Sequence, residues 1–134
     1  MQLPTGATVA VADGEKLVLF RNTGHEMLPK LTVFTGAEVD GDHPGADTGH
    51  HSSSANPDEA KVDHHGFAVG VADLLNRRVL SGDIAQLVII APPGTLGELR
   101  KHYHQKLTAV LMTEIGKELT GHSVADIEKA IAAA

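Results

Sequence analysis

The chain has 134 residues and no cysteine, and 42% of its residues are hydrophobic. This length suits one domain that buries about two-thirds of the surface exposed by its unfolded chain. The lack of cysteine excludes disulfides, thiolate catalysis and cysteine-ligated zinc. A net charge of −6 with neutral histidines disfavours general attraction to nucleic acid or anionic lipid, although it leaves room for a local basic patch.

The amino-terminal residues lack the positive start and apolar run of a signal peptide. The longest apolar run, "LVIIAPP", is far shorter than the roughly 20 residues that cross a membrane. We therefore expect a cytoplasmic protein with a single domain over residues 1–134. We expect neither a membrane partner nor a DNA partner.

The first quarter of the chain predicts three antiparallel strands that form a meander. Apolar and small residues alternate before Asp13-Gly14, and an apolar strand, Leu17–Phe20, follows. The Asp-Gly pair predicts a type I′ turn, because both central positions of that turn need positive φ. The third strand is predicted over Lys30–Gly36, with Leu31 and Val33 on one face.

The composition then changes, and residues from about 37 to 57 are rich in Gly, Ser, Asp and His. They predict a flexible surface loop that is longer than compact domains usually contain. Asn56 and Pro57 are typical of a helix start. Apolar residues at helical spacing continue to Val79, and Gly82 is predicted to end the helix in the left-handed conformation.

The second half predicts two more strands and two more helices. The apolar run Gln86–Ala91 indicates a central strand covered on both faces. Thr95 and Glu98 fit a capping box for the next helix. The alternating segment Lys106–Gly116 predicts a fifth strand, and a second capping box, Ser123–Asp126, predicts the last helix.

The predicted order is β-β-β-α-β-α-β-α. An antiparallel meander followed by helix-linked strands gives a three-layer α/β fold with a mixed five-stranded sheet. This is the arrangement of ribonuclease H-like proteins and of the central domain of archaeal and eukaryotic release factors.

Four stretches resemble the bacterial host attachment protein family: "VADGEKLVLFRNTG", "PKLTVF", "LVIIAPPGTLGELRKHYHQKL" and "EIGKELTGHSVADIEKAI". The family name implies a bacterial factor needed for attachment to host cells. The family is similar to bacterial proteins that resemble the release-factor central domain, which implies contact with the ribosome, tRNA or other RNA. Release factors act through a Gly-Gly-Gln motif. None of the three glutamines here follows Gly-Gly, so peptidyl-tRNA hydrolysis by that motif is not implied.

The strand-to-helix junction after Pro92-Pro93 is a candidate anion site. Backbone amides at a helix start and nearby basic side chains attract phosphate. The alternative is a capped structural turn, since Glu98 repels anions and no P-loop lysine follows. The hypothesis involves Gly94, Thr95, Leu96, Arg100 and Lys101. The wider basic cluster adds His102, His104 and Lys106, and it has the alternative interpretation of a solvated face, as have Arg77 and Arg78.

Histidines and carboxylates give two further candidate sites. Five histidines within 23 residues can ligate zinc, nickel or copper, although their spacing matches no known metal motif and a solvated polar loop also explains them. They are His43, His50, His51, His64 and His65. Asp13 can hold a catalytic metal together with Glu114 and with Asp63 or Asp73, the alternative being a turn residue. A divalent metal is the one cofactor that these residues suggest, and our main expectation is that the protein has no cofactor.

We expect a non-catalytic binding protein associated with RNA or the translation machinery. The first alternative is a metal-dependent hydrolase that uses Asp13 and the loop histidines. The second alternative is a homo-oligomeric scaffold, a homodimer in its simplest form, in which an exposed edge strand near Leu31–Thr35 pairs with another copy.

Overall fold

The structure is a computed structural model that describes residues 1–33 and 57–134, with side chains in the second range from residue 66 onward. Its five strands are β1 (Thr8–Ala12), β2 (Leu17–Asn22), β3 (Leu31–Val33), β4 (Leu87–Ala91) and β5 (Leu111–Gly116). Its helices are α1 (Pro57–Leu80), α2 (Pro93–Arg100), α3 (Gln105–Val110) and α4 (Val124–Ala133). Nearly all of the predicted loop at 37–57 lies outside the described residues.

The strands form one mixed sheet in the order β3-β2-β1-β4-β5. The β1–β2 and β2–β3 pairs are antiparallel, as the meander prediction requires, while β4 pairs in parallel with both β1 and β5. The predicted α/β fold with a five-stranded mixed sheet is therefore confirmed. Every residue of β1 and β4 is buried, which confirms the interpretation of Gln86–Ala91 as an inner strand.

Two hydrophobic cores lie on opposite faces of the sheet, because successive strand residues point to opposite sides. On one face, Ala10 and Ile89 belong to a cluster with residues of α1, α2 and α3. On the other, Val9 and Val88 belong to a cluster with Ile127 of α4. The molecule thus has three layers, as predicted. In its described part, no helix is both long and apolar enough to span a membrane.

The segment Lys106–Val110 corrects one prediction, because it is helical and β5 begins only at Leu111. The side chain of His104 accepts a hydrogen bond from the amide of Lys106 at 3.0 Å and caps α3. Leu107 is fully buried in the core beneath α1 and α2. A short apolar run fits both the two-residue period of a strand and the 3.6-residue period of a helix. The packing of Leu107 together with the His104 cap favours the helix.

Two predicted turn and cap motifs also differ. Helix α2 begins at Pro93 without a side-chain cap, so Thr95 does not act as the N-cap. Gly14 is not among the described residues with positive φ, which are Gly6, Gly82 and Gly121. The β1–β2 connection is therefore a four-residue loop and not the predicted type I′ turn. The carboxylate of Asp13 stabilises this loop by accepting hydrogen bonds from the amides two and three residues later.

Two other predicted helix ends are confirmed. Gly82 has φ +84° and ends α1 in the left-handed region, which glycine adopts without steric cost. The hydroxyl of Ser123 accepts a hydrogen bond from the amide of Asp126 at 3.1 Å and caps α4.

Candidate functional site

Asp13 follows β1 at the edge of the sheet where the parallel strands end. Its Oδ1 accepts hydrogen bonds from the amides of Glu15 and Lys16, both at 2.6 Å, and its Oδ2 accepts one from the hydroxyl of Thr120 at 2.6 Å. Burial opposes ionisation, but the hydrogen bonds from Thr120, Glu15 and Lys16 outweigh it and lower the pKa of Asp13. Oδ1 therefore stabilises the β1–β2 loop itself, and Oδ2 connects that loop to the loop after β5.

Glu114 and Arg100, which were predicted for different sites, lie in direct contact. The Nε of Arg100 donates to Oε1 of Glu114 at 2.9 Å, and the hydroxyl of Tyr103 donates to Oε2 at 2.7 Å. Burial, followed by the hydrogen bond to Glu114, raises the pKa of Tyr103 far above its ordinary value. Tyr103 is thus a neutral donor, and Glu114 serves to fasten β5 to α2 and the segment that follows.

The catalytic-carboxylate hypothesis gains no support from these contacts, since Asp13 and Glu114 bind different partners. A two-metal site needs several carboxylates that converge on one place. Within residues 1–33 and 66–134, no group of three or more His, Asp or Glu side chains can hold a metal. The histidines His43, His50 and His51 lie outside the described residues. His64, His65 and Asp63 lie in α1 without described side chains, so their metal role stays a prediction.

The predicted anion-site residues divide between the two ends of α2. Gly94 and Thr95 lie in the first turn, where the amide of Leu96 already donates to the carbonyl of Pro92 at 2.9 Å. Arg100 and Lys101 lie at the other end of this eight-residue helix, where Arg100 is six residues and therefore about 9 Å along the axis from Gly94. They bind Glu114 at 2.9 Å and Glu98 at 3.1 Å. The amides and the basic side chains thus lie at opposite ends of α2, and their joint role in anion binding stays a prediction.

The edge strand β3 has the outer position that the homodimer hypothesis requires. However, the amide of Leu31 donates to Oε2 of Glu128 on α4 at 2.9 Å. This contact removes one backbone donor from those that a strand of another copy would need. Thr35, at the far end of the predicted edge, lies outside the described residues.

Asn76 organises a junction that the sequence analysis missed. Its side-chain amide donates to the carbonyl of His102 at 2.9 Å, and its oxygen accepts from the amide of His104 at 2.9 Å. Asn76 lies near the end of α1, so it fixes that end against the segment between α2 and α3. An asparagine at an inconspicuous helix position gives no local signal of this bridge.

A second missed arrangement is the contact of Arg21 and Arg78 with one residue, Asp83. The Nη1 of Arg78 lies 2.8 Å from Oδ2 of Asp83. Arg21, which reaches this place from β2, donates to the carbonyl of Asp83 at 2.9 Å and lies 3.8 Å from Oδ1. Arg77 is the exposed neighbour of Arg78 on α1. The doublet Arg77-Arg78 was visible in the sequence, whereas nothing in the strand pattern indicated Arg21.

Comparison with known proteins adds one match. A family model described as bacterial archaeo-eukaryotic release factor family 12 matches residues 6–131. No curated protein matches the chain significantly. The family match agrees with the release-factor part of the sequence resemblance, while the host-attachment name stays a prediction.

Proposed function

We propose a translation-related binding function without catalysis for this chain, which belongs to bacterial archaeo-eukaryotic release factor family 12. The observation that carries the proposal is a family match over residues 6–131 in a sequence that contains no Gly-Gly-Gln. The release-factor relationship favours contact with the translation machinery. The missing motif removes the group through which release factors act on peptidyl-tRNA.

The contacts of the candidate catalytic residues support the non-catalytic part of the proposal. Asp13 is occupied by Thr120 and by two backbone amides, and Glu114 is occupied by Arg100 and Tyr103. General acid or base catalysis requires a side chain that can reach a substrate proton. In the described part of the chain, these two carboxylates instead connect secondary-structure elements.

The proposed partner is the ribosome or another RNA of the translation machinery, and the proposed location is therefore the cytoplasm. Cosedimentation of purified protein with bacterial ribosomes through a sucrose cushion at low salt tests this proposal. We expect the protein in the ribosome pellet, and we expect it to leave the pellet as salt rises, because phosphate contacts release counterions. Protein that stays in the supernatant at low salt would contradict the proposal.

The non-catalytic part of the proposal needs its own assay. Incubation with peptidyl-tRNA bound to ribosomes should release no more peptide than buffer does, with a release factor as positive control. Stimulated release would show that this chain hydrolyses the ester without a Gly-Gly-Gln loop, and the enzyme alternative would then replace the binding function.

A role in attachment to host cells is a finer proposal, based on the sequence resemblance alone. We propose that it is an indirect effect of the translation-related function. Deletion of the gene should then change the synthesis of other proteins before attachment falls. Reduced attachment with unchanged protein synthesis would indicate a direct adhesive role.

A further inference from the structure

The pairing of β2 determines which backbone groups of β3 face outward. The amide of Asn22 donates to the carbonyl of Ala7 at 2.9 Å, and its carbonyl accepts from the amide of Gly6 at 2.8 Å. The backbone groups of Asn22 are therefore directed away from β3, and Asn22 forms a non-hydrogen-bonded pair with Leu31 opposite it. Such pairs alternate with hydrogen-bonded pairs along an antiparallel ladder. The backbone N–H and C=O groups of Leu31 and Val33 thus point to the outer side of the sheet.

Glu128 of α4 occupies one of these outward groups. Its Oε2 accepts a hydrogen bond from the amide of Leu31 at 2.9 Å. A second strand would need that amide for one of its own carbonyl oxygens, and the carboxylate places negative charge where this oxygen would lie. Charged side chains are one means by which proteins keep edge strands from pairing. In the part of the chain that the structure describes, no other hydrogen bond reaches this side, and Val33 is 58% exposed.

The outer side of β3 fits an antiparallel copy of itself. When Thr32 lies opposite Thr32 of a second copy on a two-fold axis, Leu31 of each copy lies opposite Val33 of the other. Both of these pairs are of the hydrogen-bonded kind, because the outward groups belong to Leu31 and Val33, and each pair exchanges two hydrogen bonds. The same register places the exposed Val33 beside Leu31, an apolar cross-strand pair. Glu128 holds the Leu31 amide in each copy and so removes one bond from each pair.

We propose that Glu128 is an edge guard, which we define as a side chain that keeps β3 from pairing with β3 of a second copy. Loss of its contact with Leu31 then allows the chain to form a homodimer. The occupant is a second copy because the register matches the outward groups of this strand to those of an identical strand. The inference goes beyond the proposed RNA-related function and does not depend on it.

Cysteine cross-linking tests this pairing, since the chain has no cysteine of its own. In the proposed register, the two copies of Thr32 form a non-hydrogen-bonded pair with Cα atoms about 4.5 Å apart, which a disulfide can bridge. Thr32→Cys is compared alone and together with Glu128→Ala, with oxidised glutathione as oxidant and dimer measured on non-reducing gels. We expect Glu128→Ala to raise the initial rate of dimer formation at least tenfold. The two regained hydrogen bonds exceed the 1.4 kcal/mol that a factor of ten represents.

Three further variants separate edge pairing from other effects. Glu118→Ala removes the same charge at an exposed position after β5, at the opposite edge of the sheet, and should leave the rate unchanged. Val33→Pro combined with Glu128→Ala removes an outward amide without breaking a β2–β3 hydrogen bond, and it should restore the rate seen with Glu128 present. Glu128→Leu removes the acceptor but keeps the volume of the side chain, and it should give the same increase as Glu128→Ala.

The results either support or overturn the guard. An unchanged rate in both Glu128→Ala and Glu128→Leu overturns it. A raised rate that persists with Val33→Pro, or that Glu118→Ala reproduces, also overturns it, because association then does not use the outer side of β3. Urea unfolding of each variant shows which of them are folded, and the comparison is made between folded proteins.

Discussion

Replacement of Asn22 by alanine should destabilise the protein strongly, because this side chain makes four hydrogen bonds at a position only 1% exposed. Its Nδ2 donates to the carbonyls of Leu3 at 2.8 Å and Pro4 at 3.2 Å. Its Oδ1 accepts from the amides of Gly24 and Lys30, both at 2.9 Å. One side chain thus joins the amino-terminal segment to the β2–β3 turn.

The expected loss follows from these four bonds. Each contributes about 1 kcal/mol net, and a buried group left without a partner costs about 1–3 kcal/mol. Only the bond to Leu3 is fully buried, so water can reach the other three groups after truncation. We therefore expect Asn22→Ala to lower the free energy of unfolding by about 2–4 kcal/mol, a large part of the 5–15 kcal/mol typical of small domains.

Urea unfolding followed by far-ultraviolet circular dichroism measures this change. The midpoint should fall while the slope stays constant, since the surface exposed on unfolding is nearly unchanged. Thr23→Ala is the matched control, because the neighbouring hydroxyl makes exposed hydrogen bonds at 3.2 Å to Lys30 and 3.0 Å to Thr32. The control should lose less than about 1 kcal/mol. Equal losses in both variants, or a loss below about 1 kcal/mol for Asn22→Ala, would refute the reasoning.

Three further predictions concern single side chains. Thr8 is fully buried, and its hydroxyl has no hydrogen-bond partner among the described residues. Thr8→Val should therefore raise the free energy of unfolding, measured by urea unfolding, by about 1 kcal/mol. A lower free energy of unfolding would show that the hydroxyl has a partner. The pKa of Asp13 is lowered in the folded state, so its ionised carboxylate contributes to the free energy of unfolding. This contribution should be fully present above the ordinary aspartate pKa of about 4 and lost as the pH falls through the pKa of the folded state. The difference in melting temperature between wild type and Asp13→Asn should therefore shrink on acidification, and a constant difference would contradict this. Tyr103→Phe should cost about 1–2 kcal/mol through the lost bond to Glu114. Tyr103 is the only tyrosine of the chain, so absorbance titration should show its ionisation well above pH 10, and ionisation near that value would be the contrary result.

The chain order of the strands and the inner position of one of them were predictable from the sequence because each rests on a local pattern. Continuous burial marks Gln86–Ala91, and right-handed crossovers then restrict the sheet to few arrangements. The error at Lys106–Val110 arose where the pattern was too short to separate the two periods. The capping box at Thr95 failed because the N-cap is Pro92, three residues earlier, and the helix begins at Pro93.

The contacts of the candidate sites could not be predicted in the same way, because they join residues far apart in the chain. Asp13 and Thr120 are 107 positions apart, and Arg21 and Asp83 are 62 apart. Arg100 and Glu114 were each recognised, but their contact depends on how α2 lies on β5. Local sequence identifies the types of side chain, whereas the packing of elements decides which of them meet.

The position of β1 has a consequence for how the chain folds during synthesis. Thr8–Ala12 can pair with Leu17–Asn22 as soon as both have left the ribosome, but its parallel neighbour Leu87–Ala91 is made more than 70 residues later. Until then, the backbone donors and acceptors on one edge of β1, a strand that is buried throughout in the folded protein, remain free to pair with any other extended chain. Nascent chains stalled between these two strands should therefore aggregate or recruit chaperones, and release of β4 should end that exposure.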